Sequence, residues 1–307
     1  MLQALENVGP IFLVIGLGAV LRWRGILTAD GATVLSRLVF LVAAPLLLFH
    51  SAAQSALADL ARGEVLAVLI VATVTVALVV YVLAHRQPRP RVGVLAQGAF
   101  RSNLVFFGLP VVASAYGDAA MGRAAVTIGV MVVVYNLLGV LVLVLPRQRL
   151  SAGSPAIWLD SLREMARNPL VLGIVAGVLV SLAGWTLPPV IDRAVGLVGR
   201  TGLPLALLAI GAGLDFRLLP REWKAALTVS LVKLVAYPAL VWLALRALGV
   251  TGETLRVPVL VLASPCAVMA YIMVKEMGGD ERLASAIVIG STLLSLVTTV
   301  GWLLILG

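Results

Sequence analysis

Polar residues interrupt a long apolar stretch in the first half of the chain. Arg101, Ser102 and Asn103 stand together there, and Gly108 and Pro110 follow in the same stretch. A proline inside a helix removes one backbone hydrogen bond and clashes with the preceding turn. The freed amide and carbonyl groups need partners, and the polar side chains beside them can bind a ligand at the same place. The pattern predicts a broken helix with a binding site near residues 103–110.

A second apolar stretch is interrupted in the same way in the second half of the chain. Ser264, Pro265, Cys266 and Ala267 form this interruption, and Tyr271 follows it. Each break exposes the positive start of a half-helix, where free N–H groups favour an anion. A simple proline kink is the alternative for one stretch alone. Two such breaks that carry Ser, Asn and Gly favour an anion-binding site.

The amino-acid composition indicates the class of protein to which these residues belong. The chain has 307 residues, of which 61% are hydrophobic and 12% charged, and its mean hydropathy is +1.10. Soluble domains carry about 25% charged residues, so a soluble enzyme, a disordered chain and a coiled coil are all excluded. The apolar runs are continuous, whereas the strands of a membrane barrel alternate. The sequence therefore predicts an all-α polytopic membrane protein.

Ten apolar runs have lengths suited to membrane helices. They cover approximately residues 8–22, 33–51, 64–84, 92–115, 119–145, 169–184, 188–214, 225–245, 256–275 and 283–306. Lys and Arg concentrate in the loops after odd-numbered runs, and cytoplasmic loops are enriched in these residues. We therefore expect both termini on the non-cytoplasmic side of the plasma (bacterial inner) membrane. The same loops account for most of the net charge of +9, so nucleic acid is not an expected partner.

Prolines and glycines recur at matching positions of the two halves. Pro10 in run one and Pro169 in run six are separated by the same number of residues as Pro45 in run two and Pro204 in run seven. A second, slightly larger offset separates Ser102 from Ser264, Gly117 from Gly279, and Gly139 from Gly301. The pattern predicts two five-helix repeats, 1–150 and 169–307, joined by a cytoplasmic linker at 151–168. Because five is odd, the second repeat must be inverted, as in secondary transporters. Chance recurrence of proline and glycine is the alternative.

All charges inside the runs are positive. They are Arg37, Arg101, Arg200 and Lys233, whereas the 14 acidic residues lie in loops or near run ends. A buried charge in a membrane is costly and marks a functional site by default. Arg37 and Arg200 lie near run ends, where snorkelling explains them. This cationic interior suits an anionic substrate.

Lys233 and Asn136 each leave two interpretations open. Lys233 could compensate substrate charge or replace a bound sodium ion, and the alternatives are snorkelling or pairing with the carbonyls of a neighbouring helix. Asn136 could donate hydrogen bonds in a cavity, as could Tyr271, or it could join two helices. Arg101 belongs to the first interruption, but it could also only anchor its helix at the interface. We expect no cofactor, no catalytic residues and no metal site, and the coupling ion, H⁺ or Na⁺, stays open.

The first interruption resembles the R-S-N-x-x-F-x-G-x-P signature of the auxin efflux carrier family, which includes plant carriers and bacterial dicarboxylate permeases. The segment Ser264-Pro265-Cys266-Ala267, with Gly278-Gly279-Asp280 after it, is similar to the ninth helix of that family. The chain departs from the family in two respects. It lacks the long central loop of the plant carriers, and its Cys266 replaces a small hydroxyl residue.

The resemblance implies a fold similar to that of bile-acid/sodium symporters. Helices one, two, six and seven would form a scaffold through which two copies pair as a homodimer. Helices three to five and eight to ten would form a transport domain, and helices four and nine would cross within it. The expected function is elevator-type transport of small organic anions, namely mono- or dicarboxylates. Alternatives are a sodium-coupled symporter of bulkier organic acids and, from other classes, a passive channel or a membrane sensor.

Overall fold

A computed structural model describes residues 2–54, 62–146, 167–213 and 219–307. Over these residues the protein is nearly all helical, and its only β-type pairing is one isolated backbone bridge. The linker expected at 151–168 lies outside the described residues except for its last two positions. The prediction of a helical membrane protein rather than a barrel is therefore confirmed.

Seven α-helices form in the first half of the described chain. They are α1 (Leu2–Trp23), α2 (Ala29–Leu38), α3 (Ala44–Ala53), α4 (Gly63–Leu83), α5 (Arg89–Phe100), α6 (Leu109–Tyr116) and α7 (Met121–Val144). Thr28 begins α2, because its hydroxyl accepts a hydrogen bond from the Gly31 amide. The first helix begins at Leu2, several residues before the apolar run that predicted it.

Seven more α-helices form in the second half. They are α8 (Pro169–Leu182), α9 (Pro189–Gly213), α10 (Leu219–Leu231), α11 (Tyr237–Ala247), α12 (Glu253–Leu262), α13 (Val268–Glu276) and α14 (Glu281–Leu306). Asn168 and Asp280 cap α8 and α14 with side-chain oxygens that accept amide hydrogen bonds from Leu170 and Leu283.

Six helical segments are long and apolar enough to cross a membrane, among the residues that the structure describes. They are Asp30–Ala53, Gly63–Arg86, Asp118–Val144, Pro189–Gly213, Arg221–Ala247 and Glu281–Leu306. Val8–Trp23, Leu104–Tyr116 and Pro169–Leu182 are apolar but shorter. Many large apolar side chains are exposed, including Leu13, Trp23 and Val190. Such a surface is stable against lipid and not against water.

Three helical segments widen into one π turn directly before a proline. The π turns are Val39–Ala43, Leu104–Gly108 and Val232–Ala236, and the prolines are Pro45, Pro110 and Pro238. A π turn relieves the clash between the proline ring and the preceding turn. Pro45 does not break its segment, because helical structure is continuous from α2 through the π turn to α3. Pro204 likewise lies inside the unbroken α9.

Small residues bring two pairs of helices into close contact. The helix α1 packs along α9, and α3 packs along α8. A Cβ atom on Gly18 would lie 2.3 Å from the Leu208 carbonyl oxygen, and one on Gly173 would lie 2.5 Å from that of Pro45. These contacts require glycine, as is usual where membrane helices approach closely.

Candidate functional site

Two extended segments meet near the centre of the described chain. Helical structure stops after Phe100 and resumes at Leu104, and it stops again after Leu262 and resumes at Val268. Ser102 and Cys266 pair between them in an antiparallel bridge. We call residues 101–103 and 263–267 together the crossover.

Two backbone hydrogen bonds close the crossover. The Asn103 amide donates to the Pro265 carbonyl oxygen over 2.8 Å, and the Ala267 amide donates to the Arg101 carbonyl oxygen over 3.0 Å. Each break therefore satisfies backbone groups that the other break leaves open. This exchange explains how irregular backbone is tolerated in the interior of a membrane protein.

The first interruption ends earlier than the sequence predicted. The prediction extended it from Asn103 to Pro110, but helical structure resumes at Leu104 and runs to Tyr116. Pro110 lies in the first turn of α6, where a missing amide proton costs little. Gly108 and Pro110 are buried within this helical segment and do not form the break.

A chain of hydroxyl groups leads away from Ser102. Its Oγ lies 2.9 Å from the Leu262 carbonyl oxygen and 3.0 Å from the Tyr135 hydroxyl. The Tyr135 and Tyr237 hydroxyls are 3.2 Å apart, and Tyr237 lies 2.6 Å from Thr73 Oγ1. Thr73 in turn donates to the Leu69 carbonyl oxygen over 2.6 Å. All four hydroxyl residues are buried.

Arg101 joins the crossover to α7. Its guanidinium donates to the Tyr135 carbonyl oxygen over 2.8 Å and to Asn136 Oδ1 over 2.7 Å. The side chain is buried inside the protein, so it does not anchor the helix at an interface. Asn136 Oδ1 therefore accepts from Arg101 and connects α7 to the crossover. This agrees with the interpretation of Asn136 as a residue that joins two elements.

Lys233 lies behind the crossover. It is fully buried, and its Nζ donates to the Leu262 carbonyl oxygen over 2.7 Å and lies 5.1 Å from the centre of the Tyr237 ring. A cation at the last carbonyl of α12 is favourable, because this end of the helix dipole is negative. The lysine does not snorkel, and it pairs instead with a carbonyl of a neighbouring helix.

Ser264 and Cys266 of the second interruption are buried and do not line a cavity. The Cys266 amide donates to Ser291 Oγ over 3.0 Å, and its thiol is buried. Ser264 Oγ is buried and has no hydrogen-bond partner among the described residues. It fits closely against Gly108, where a Cβ atom would lie 2.7 Å from it.

A cavity of about 1670 Å³ reaches the other side of the crossover. The candidate residues that line it are Arg101, Ser102, Asn103, Asn136, Ala267 and Tyr271. Its charged wall residues are Arg22, Arg37 and Arg101, and its described lining contains no Asp or Glu. The cavity is therefore cationic over the part of the chain that the structure describes.

The starts of two half-helices face this cavity. Leu104, Val105 and Phe106 begin one of them and line the cavity, as do Val268 and Met269 at the start of α13. The positive ends of the two helical segments thus converge on the space beside Arg101. Such an arrangement can bind a carboxylate through backbone amides and one guanidinium.

The structure divides the candidate residues into two groups. Ser102, Asn103, Asn136, Ala267 and Tyr271 line the cavity, whereas the others do not, namely Gly108, Pro110, Lys233, Ser264, Pro265 and Cys266. Arg101, which the sequence left between a functional role and an interface anchor, and Tyr135, which it did not single out, also line the cavity. The positive charge inside an apolar run was a signal for Arg101. Tyr135 had no comparable signal, because buried tyrosines are common.

Sequence comparisons relate the chain to known membrane transport proteins. The sequence profile of a family described as membrane transport protein matches residues 3–303. An uncharacterized transporter of Methanothermobacter thermautotrophicus is 27% identical over 98% of both chains. Auxin efflux carrier component 8 of Arabidopsis thaliana is 27% identical over 51% of this chain and 44% of its own. A putative malonate transporter of Rhizobium meliloti is 30% identical over 46% of this chain and 44% of its own.

The chain is thus an integral membrane protein of the transporter class. It belongs to the membrane transport protein family that includes the auxin efflux carriers, since the profile covers nearly the whole sequence. The matches to the plant carrier and to the malonate transporter each cover less than half of those relatives.

Proposed function

We propose that this protein carries small organic anions, namely mono- or dicarboxylates, across the membrane. The observation that supports this most is the cavity beside the crossover, where Arg101 and two half-helix starts converge. A carboxylate bound there would gain hydrogen bonds to charged and backbone donors. A cation would meet only positive charge.

The names of two relatives support the same substrate class. One relative is named for malonate, a dicarboxylate, and the other for auxin, a carboxylic acid. A site for either compound needs donors for a carboxylate. The apolar walls of the cavity then select the remainder of the molecule.

We infer ten membrane-crossing segments in two inverted repeats. The contacts of α1 with α9 and of α3 with α8 support this arrangement. In a molecule of two five-segment repeats, α1 and α9 are segments one and seven, and α3 and α8 are segments two and six. If the two repeats are exchanged, segment one becomes segment six and segment seven becomes segment two. The contact of one with seven then becomes the contact of six with two, as two inverted repeats require. The two breaks that pair at the crossover are likewise segments four and nine.

We propose that transport follows an elevator mechanism. Segments one, two, six and seven form the scaffold, and the other six segments form a transport domain that carries the crossover. The glycine contacts within the scaffold support a rigid frame. The exposed apolar side chains of α9, such as Val190 and Leu197, offer a surface for lipid or for a second copy in a homodimer.

Lys233 favours this function over sodium-coupled transport of bulkier acids. A sodium site needs several oxygen ligands that converge on one point. Behind the crossover, the ammonium group of Lys233 already occupies the Leu262 carbonyl oxygen at 2.7 Å. A sodium ion at this place would have to displace Lys233 Nζ from the carbonyl oxygen. We therefore propose that sodium is not the coupling ion.

Counterflow in liposomes tests the proposal. Purified protein should exchange radiolabelled malonate or the auxin indole-3-acetate with saturation, at equal rates in sodium and choline buffers. Asn103→Ala should reduce exchange, because this residue lines the cavity at the crossover. Gln87→Ala, which removes an exposed amide outside the cavity lining, is the matched control. The proposal is wrong if no carboxylate in a broad panel exchanges, and non-saturating flux would indicate a channel.

A further inference from the structure

The scaffold side of the cavity wall carries two arginines. Arg22 lies in the last turn of α1 and Arg37 in the last turn of α2, and both exposed side chains line the cavity. No Asp or Glu of the described chain forms an ion pair with either of them. The cavity wall therefore carries two positive charges in addition to the guanidinium of Arg101 at the crossover.

In the proposed elevator these charges belong to different domains. Arg22 and Arg37 lie on segments one and two of the scaffold, whereas Arg101 lies on segment four of the transport domain. Arg101 therefore moves with a bound anion, and the other two arginines stay at the cytoplasmic mouth. They act on an anion that approaches from the cytoplasm.

The turns after α1 and α8 show which residue is the counterpart of Arg22 in the second repeat. The Gly25 amide donates to the Arg22 carbonyl oxygen over 3.1 Å, and the Gly184 amide donates to the Ser181 carbonyl oxygen over 3.1 Å. Both glycines have positive φ angles, of 71° and 63°. Since segments one and six correspond in the proposed repeats, Ser181 takes the place of Arg22 on the outer side.

Segments two and seven provide the counterpart of Arg37. Arg37 stands as far before Pro45 as Gly196 stands before Pro204, and these prolines match in the two repeats. Gly196 has no side chain and hence no charge. The outer mouth therefore lacks a counterpart of either arginine.

Two other positions add charge to the outer wall, but these charges cancel. Thr33 and Leu41 line the cavity, and their counterparts by the same spacing are Asp192 and Arg200. The scaffold would thus present no net charge to an outward-facing cavity. It presents two positive charges to the cytoplasmic one.

We propose that Arg22 and Arg37 collect anionic substrate at the cytoplasmic mouth, and that the outward-facing cavity has no equivalent device. This inference rests on the proposed function, because it assigns the capture step of the same anion. A cleft lined by one sign of charge between low-dielectric walls concentrates ions of the opposite sign and speeds their association. Charge-assisted capture is therefore confined to the cytoplasmic side.

The test measures the electrostatic potential of the cavity from each side. Cys266→Ser combined with Ala267→Cys places one thiol at the crossover, on the cavity wall. This parent protein is treated with two membrane-impermeant methanethiosulfonates of similar size, one with a sulfonate and one with a trimethylammonium group. Inside-out vesicles admit the reagents through the cytoplasmic mouth, and right-side-out vesicles admit them through the outer mouth. The anion-to-cation ratio of the labelling rates, each divided by the rate for a free thiol, does not depend on the fraction of protein that faces either side.

The two sides should differ in this ratio. At about 10 mM salt we expect the ratio in inside-out vesicles to exceed that in right-side-out vesicles by about fivefold or more. Arg101 contributes to both ratios alike, because it lies beside the thiol in either state. In about 1 M salt the two ratios should agree within about twofold, since the Debye length falls from about 30 Å to about 3 Å.

Variants assign the difference to the two arginines. Arg22→Gln combined with Arg37→Gln should lower the inside-out ratio to the right-side-out value and leave the latter unchanged. Arg24→Gln is the matched control, because Arg24 is an exposed cation at the same helix end and does not line the cavity. Arg22→Lys combined with Arg37→Lys keeps both charges and should keep the ratio of the parent protein.

Each outcome decides the proposal. Equal ratios on the two sides of the parent protein at low salt, or an unchanged inside-out ratio in the double Gln variant, overturn the inference. An equal loss in Arg24→Gln also overturns it, because the effect would then come from surface charge in general. Should the double Gln variant not fold, the salt dependence of the parent protein decides, and a difference that persists in 1 M salt overturns the inference. None of these results affects the proposed function, which malonate exchange measures separately, whereas the expected ratios without any carboxylate exchange would contradict the proposed function alone.

Discussion

Two buried cations lie on opposite sides of the crossover. Arg101 lines the cavity, whereas Lys233 lies behind the crossover and donates to Leu262. The sequence placed both charges inside apolar runs, but it left snorkelling open for Lys233 and an interface position open for Arg101. It could not predict which of them faces the cavity, because that depends on how each helix is rotated about its axis. Packing against distant helices sets that rotation.

Arg101→Gln should weaken carboxylate binding. Loss of the charge beside the crossover should raise the KM for malonate by about tenfold or more, as expected for a charge-assisted hydrogen bond. Arg62→Gln is the control, since Arg62 lies at an exposed loop and does not line the cavity. An unchanged KM for Arg101→Gln in liposome uptake would remove this residue from the site.

At the scale of helices, the prolines predicted where helical geometry is irregular, but not whether the irregularity is a π turn or a break. The predicted break extended to Pro110, but neither this residue nor Pro45 or Pro204 ends a helical segment. The π turns before Pro45 and Pro110 absorb the steric clash, and no simple sequence pattern encodes such a turn. The actual interruption at 101–103 is held open by backbone pairing with a segment far away in sequence, which local propensity does not contain.

Gly18→Ala should destabilise the packing of α1 on α9. The new Cβ atom would lie 2.3 Å from the Leu208 carbonyl oxygen, so one helix must shift. We expect the melting temperature of the purified protein to fall by about 5 °C, a typical cost of overpacking. Gly16→Ala in the same helix is the control, because a Cβ atom there meets nothing within 4 Å. Equal melting temperatures for both variants would contradict the contact.

At the scale of the whole molecule, the residues at helix ends that line the cavity indicate the side of the membrane to which the cavity opens. Trp23, Asn168, Gly213 and Met277 line the cavity, and each stands at a helix end beside a loop predicted to be cytoplasmic. With the proposed orientation the cavity opens towards the cytoplasm, and we therefore propose that the structure represents an inward-facing state. The sequence predicted the loop sides from charge, but the conformational state depends on how scaffold and transport domain pack, and two such arrangements fit one sequence.

An ion pair connects the two proposed domains in this state. Arg200 lies in the middle of α9 and not near its end, as the sequence suggested, and its exposed side chain lies 2.9 Å from Asp118, which follows α6. Movement of the transport domain along the scaffold must separate them. Asp118→Asn should therefore reduce the inward-facing population, measured as slower alkylation of a cysteine placed at Trp23 on the cavity wall.

The reciprocal exchange controls for local damage in that experiment. Asp118→Arg combined with Arg200→Asp should restore the alkylation rate, because the pair can form with its charges reversed. Neutral substitution of both residues should not restore it. If Asp118→Asn leaves the rate unchanged, the pair does not bias the conformational equilibrium.

The most direct test of anion binding at the crossover uses the single cysteine of the chain. Cys266→Ser combined with Ala267→Cys places one thiol on the cavity wall, and Trp23→Cys in the same background places one at the cavity mouth. Malonate at ten times its Kd leaves about one tenth of the sites free, so maleimide labelling at position 267 should slow by about tenfold. Labelling at position 23 should keep its rate, and chloride at equal ionic strength should protect neither. Unchanged labelling at position 267, in a variant that still exchanges malonate, would contradict binding at the crossover.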